Sequence, residues 1–202
     1  MPTAAAAQVA VAAADHVLGG APEAYALCRP PGHHAETATP MGFCLFGTVA
    51  IAAKRALYHH GLARVAVVDF DVHHGNGTQD LLWDEGRCLF VSSHQMPLYP
   101  GTGRPEERGA HGQIVNVPVR AGSGVRVMRE VYEGVVFPAL AAWKPELLLI
   151  SAGFVAHADD AAQVSQVLEQ ASLAEREKED AQAGAVAETL LAADEEFLDA
   201  AS

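Results

Sequence analysis

Basic residues are scarce in this chain. Only 13 Lys and Arg stand against 25 Asp and Glu among 202 residues. No basic stripe runs along it, so direct nucleic-acid binding through phosphates is not expected. Long apolar runs are also missing. None approaches the ~18–20 residues of a membrane span, and no membrane partner is expected. The opening stretch MPTAAAAQVAVAAADHVLGG is apolar but lacks the basic start of a signal peptide. It reads as an Ala-rich helix stopped by Gly19-Gly20. Cysteine is sparse and odd in number: Cys28, Cys44 and Cys88, each isolated among apolar residues. They read as buried thiols in a reducing, cytoplasmic setting, without disulfides.

Hydrophobic residues make up 50% of the chain, which suits one α/β-sized domain. Five segments suit buried strands: 24–28, 64–69, 88–93, 114–117 and 147–151. Helical patterns lie between several of them, over 42–60, closed by Gly61, and over 125–143, closed by Lys144-Pro145. Strands alternating with helices imply a parallel sheet covered on both faces. From about Ala161 the strand signals stop. Residues 175–202 hold nine acidic and two basic residues, a net −7 of the chain's −12. The division is therefore a domain over 1–160 and an acidic tail over 161–202, helical or partly disordered.

Polar groups gather where the apolar runs stop. RPPGHHAE follows the first expected strand, DFDVHHGNG the second, SSHQ the third and SAGFVAHADD the last. In a parallel α/β sheet these ends share one edge, where ligands bind. Within DFDVHH, alternation puts Asp69, Asp71 and His73 on one face of an extended segment. A carboxylate and an imidazole so placed suit Zn²⁺, with Mn²⁺ or Fe²⁺ as alternatives; a hydrogen-bonded polar turn is the plain structural reading. His33-His34, behind the rigid Pro30-Pro31-Gly32 turn, reads either as a second ligand pair or as an acid–base pair. His74 is expected to pack beneath the site. His59-His60 precedes Gly61 at a helix end, where the helix dipole accounts for it.

RPPGHHAE, MGFCLF, VDFDVHHGNGTQD, SSHQMPLYPGTG, VNVPV and LISAGF, in this order, resemble the histone deacetylase superfamily, especially its class II branch and the bacterial acetylpolyamine amidohydrolases. The resemblance runs from about residue 5 to Asp160. It implies an arginase-like α/β fold and a zinc-dependent hydrolase that deacetylates acetyl-lysine or an acetylated polyamine. By that resemblance Asp71 and His73 bind zinc, and His34 is the general base with Asn76 as its orienting partner. His33 is the second, electrostatic histidine, oriented by Asp69. A structural K⁺ is implied at Asp69, Asp71, His73, Ser92 and Ser93. Phe43 and Tyr99 wall a tunnel for the acyl-lysine chain, with Gly42 at its lip.

The sequence departs from that pattern. Val155 stands where the family has an aspartate that binds zinc, and His157 is the nearest substitute donor. No Gly-Gly-Tyr occurs, so the family's oxyanion-binding tyrosine has no counterpart; Tyr132 is the last tyrosine in the chain. Gly47-Thr48 replaces a usual pair of asparagines. The domain reads as truncated at both ends relative to the family. A catalytic zinc takes about three protein ligands and a water, and loss of an oxyanion donor costs roughly 10²–10³ in rate. The expectation is a deacetylase with weakened or lost zinc and impaired hydrolysis. The alternatives are a non-catalytic binding module that retains the tunnel and, less favoured, an arginase-type ureohydrolase.

Overall fold

The computed structural model describes residues 2–154; Val155, His157 and the expected tail over 161–202 lie outside the described residues. Helix α1 spans Pro2–Leu18, α2 Thr48–Tyr58, strand β1 Val65–Asp69, α3 Asn76–Leu82, β2 Cys88–Gln95 and β3 Ile114–Val119. A continuous helical rod follows: α4 (Val125–Val131), a π-helical turn (Tyr132–Val136) and α5 (Phe137–Trp143). It ends at Lys144, whose left-handed backbone stops the rod before Pro145. Strand β4 is Leu147–Ser151.

The four strands form one parallel sheet in the order β3-β2-β1-β4. The chain steps outward from β1 through β2 to β3, then returns to the other side of β1. The order therefore reverses between β1 and β4, and the crevice beyond their carboxyl ends is the place such sheets bind ligands.

All five residues of β1 are buried, because both faces are covered there. On one face Val65, Val67, Phe90, Ile114 and Leu147 pack against the alanine-rich sides of α1 and α2 and against Leu82 of α3. Small side chains such as Ala50, Ala53 and Ala56 let α2 lie close on the sheet. Arg55 clamps α2 to α1 through a bidentate pair with Asp15, at 3.1 and 3.0 Å. His60 reaches the same carboxylate at 2.6 Å, so Asp15 is its partner rather than the helix dipole alone. On the other face Ala66, Val68, Leu89 and Val91 pack against Val136 and the helical rod. That cover stops short of β4: Leu148 and Ile150, in register with Ala66 and Val68, are 44% and 60% exposed.

Several expectations are corrected. Residues 24–28 are not a strand; they run as irregular chain, largely exposed, and pair with no described strand. The helix expected from Gly42 begins only at Thr48, because residues 41–44 close a turn in which Gly42 and Phe43 take positive φ. Cys28 is half-buried rather than buried, while Cys44 and Cys88 are buried free thiols. Among the described residues, no helix is long and apolar enough to cross a membrane.

Candidate active site at the strand-end crevice

The loop carrying His33 and His34 is fixed by backbone hydrogen bonds to the start of α3. The amides of Gly77 and Thr78 donate to the carbonyl of His33 at 2.9 and 3.1 Å. These are the N–H groups a helix start leaves unpaired, so docking the loop satisfies both partners. Gly42 closes the loop from the other side. Its positive φ suits glycine, and a Cβ there would run into the His34 ring. The histidine pair is thereby held over the end of β1, with ring centroids 4.0 Å apart.

The two rings have different partners. His33 Nδ1 lies 3.0 Å from Oδ2 of Asp69, a carboxylate with no exposure. Burial works against charge on His33. The carboxylate of Asp69, helped by Asp71, overcomes it and raises the imidazole to about 9. His34 Nδ1 instead faces the amide oxygen of Asn76 at 2.8 Å. Burial, reinforced by the charge on His33, lowers His34 to about 4. At neutral pH one histidine is a cation and the other a neutral base. Adjacent groups with opposed protonation states are the arrangement acid–base chemistry uses.

Just past β1, Asp71 and His73 are both buried, with Oδ1 and Nδ1 facing each other at 3.0 Å. Burial alone would raise Asp71; the hydrogen bond from His73 and the charge on His33 outweigh it and keep the carboxyl below its usual range. Asp69 supports the turn, its second oxygen accepting from the Asp71 amide at 3.1 Å. After β4, Gly153 lies directly against the Asp71 carboxylate, closer than any Cβ could. Asp71 and His73 offer one oxygen and one nitrogen of the kinds zinc takes. Among the described residues, no group of three or more His, Cys, Asp or Glu could hold a metal ion. The described donors thus match two of the about three protein ligands of a catalytic zinc and do not complete the set. Val155, outside the described residues, has no donor atom in its side chain.

Tyr99 packs edge-on against the His34 and His73 rings, at 5.2 and 6.2 Å between centroids. Phe43, next to Gly42 in the turn over residues 41–44, is 76% exposed. Ser92 pairs in register with Asp69, but its hydroxyl meets His94 Nδ1 at 3.0 Å. Ser93 points to the opposite face, toward the Tyr132 hydroxyl at 3.2 Å. The Ser93 side chain therefore does not face Asp69. His74 is fully buried beneath the site, between Thr102 Oγ1 at 2.8 Å and Gln79 Oε1 at 3.1 Å.

Two groups escaped the reading of the sequence. Glu36 accepts from Asn76 Nδ2 at 2.7 Å. The buried Cys44 Sγ lies 3.4 Å from the His34 amide. Glu36 ends the GHHAE motif, and its nearness to His34 in sequence was the available signal. Cys44 carried none beyond its apolar neighbours.

Comparison with known proteins gives the family and the fold. A family model described as "Histone deacetylase domain" matches residues 2–190. The chain is 46% identical over 153 residues to "Histone deacetylase 10, chloroplastic" of Oryza sativa subsp. japonica, covering 74% of this chain and 34% of that protein. It is 42% identical over 157 residues to "Histone deacetylase-like amidohydrolase" of Pseudomonas aeruginosa, covering 75% and 41%. The crystal structure of acetylpolyamine aminohydrolase from Burkholderia pseudomallei superposes with a TM-score of 0.72 at 42% identity, covering 77% of this chain and 46% of that one. The chain thus spans less than half the length of these relatives.

Proposed function

The chain belongs to the histone deacetylase family, and on that premise we propose that its site hydrolyses the amide of an acetylated amine, acetyl-lysine or an acetylated polyamine, with impaired efficiency. The observation that carries this reading is the pairing of His33 with a carboxylate and His34 with an amide over the buried Asp71–His73 pair. Neutral His34 takes the proton from an attacking water at Nε2 and delivers it to the leaving amine. Cationic His33 lies beside it and favours negative charge developing on the acetyl oxygen. Tyr99, edge-on to both His34 and His73, lines the approach for an aliphatic stem. The name of the Burkholderia protein supports an acetylated polyamine as one substrate class.

Asp71 and His73 are the residues that would hold zinc, and a bound zinc would polarise the carbonyl and acidify water. Val155 offers no third ligand, so we infer weak zinc retention and slow turnover. The proposed K⁺ position keeps the fully buried Asp69 carboxylate as its charged member. A chloroplastic relative leaves a plastid as well as the cytoplasm consistent with the thiol content.

The deciding experiment measures zinc per chain, and hydrolysis of a fluorogenic acetyl-lysine peptide and of N-acetylputrescine, for this chain and for Val155→Asp. The expected result is well under one zinc and a slow rate for the chain, with about one zinc and at least a ~10-fold faster rate for the variant. A variant that holds zinc yet turns over neither substrate overturns the hydrolase reading. Val155 specifically favours one second reading, a module that binds acetylated amines without hydrolysis. Binding of N-acetylputrescine that persists in EDTA, with no turnover, would select it.

A further inference from the structure

Asn76 has both amide hydrogens engaged away from His34. One goes to Glu36 Oε1 at 2.7 Å and the other toward Met41 Sδ at 3.2 Å. A carboxylate only accepts and a thioether accepts weakly, so neither can face the amide oxygen. The oxygen is left to face His34 Nδ1, at 2.8 Å. An oxygen acceptor there requires the imidazole hydrogen on Nδ1. The lone pair is then on Nε2, where the proposed reaction needs it.

Glu36 is held for this role by its own turn. Its amide donates to the Thr39 carbonyl at 3.0 Å, folding the segment after the histidine pair back toward α3. The Thr37 amide and hydroxyl both donate to Asp80 Oδ2, at 2.7 and 2.6 Å, anchoring the same turn to α3. Asn76 itself is buried, so water does not compete for its amide.

We propose that Glu36 is a positioning residue: through Asn76 it dictates which nitrogen of His34 carries the hydrogen, and so makes Nε2 the base. The inference deepens the proposed function and rests on it for its catalytic meaning. The tautomer itself is a property of the folded chain and is read without turnover.

The test is ¹⁵N-edited NMR of the His34 imidazole at pH 7.5 in the chain, in Glu36→Gln and in Glu36→Asp, all in EDTA. The chain is expected to show the Nδ1–H tautomer. In Glu36→Gln the neighbour can donate or accept, so Asn76 can turn over; a mixture with Nε2–H is expected. Glu36→Asp keeps an obligate acceptor and should restore part of the Nδ1–H signal. An Nε2–H tautomer in the unaltered chain overturns the proposal and needs no variant to fold. So does an unchanged His34 pattern in folded Glu36→Gln. In the Val155→Asp background, Glu36→Gln should lower kcat by about 10-fold with KM little changed, the scale of an orienting partner. If no form hydrolyses an acetylated amine, the proposed function fails while the tautomer result stands or falls on its own.

Discussion

The rings of His33 and His34 lie 4.0 Å apart, yet one is bound to a carboxylate and the other to an amide. Burial opposes charge on both rings; the Asp69 carboxylate overcomes it at His33, while at His34 burial and the charge on His33 prevail and leave a neutral base.

Replacing Asn76 by Asp should remove the difference. A carboxylate in place of the amide oxygen favours the charged imidazole. The His34 pKa should rise from about 4 to above its ordinary value near 6.5. Histidine NMR titration of the metal-free chain measures this. A His34 that still titrates in the acid range would show that burial and the charge on His33 dominate over its hydrogen-bond partner. In the Val155→Asp background the same change should move the acid limb of the pH–rate profile upward.

Gly153→Ala should damage the site without touching its donors. The new Cβ would meet the carboxylate of the buried Asp71. Overpacking of this kind costs about 1–3 kcal/mol, which thermal unfolding would detect. Placed beside Val155→Asp, it should also weaken zinc by roughly 10-fold, because Asp71 is pushed aside. Zinc titration with unchanged affinity would show that the segment after β4 can shift freely.

His74 should make the fold acid-sensitive. Its burial, reinforced by the neighbouring His94, lowers it to about 3, whereas in the unfolded chain it titrates near 6.5. Below pH 6.5 the unfolded state takes up a proton that the folded state refuses. Stability is therefore full above 6.5 and falls toward about 3, with a limiting slope of about 1.4 kcal/mol per pH unit. Urea unfolding at pH 7.5, 6.0 and 5.0 should show this decline. His74→Gln should flatten it, leaving the contributions of His34 and His94, which burial also lowers. An equal slope in the variant would assign the acid sensitivity elsewhere.

The strands β1 to β4 were legible because each is a short run of Val, Ile and Leu bounded by turn residues, and burial on both faces of β1 requires such a run. Residues 24–28 look similar in isolation but are not a strand, since strand formation depends on an available neighbour as much as on composition. Helix α2 was expected six residues too early. Gly42 and Phe43 take left-handed backbone angles to close against His34, a demand of tertiary packing that overrides local propensity. The histidine pair and the Asp-X-His segment were visible as motifs on strand ends. Glu36 was not assigned a role, because its target, Asn76, lies 40 residues away.

The sequence by itself determined the parallel sheet, the family, and which residue types stand at the carboxyl edge, since strand periodicity and motif order are local properties of the chain. Tertiary structure alone decided which histidine is charged and which is neutral, and how the amide of Asn76 is turned. Those depend on whether a carboxylate or an amide, distant in the chain, lies within 3.0 Å of a buried ring. In a buried site of low polarizability that choice of neighbour sets the protonation state.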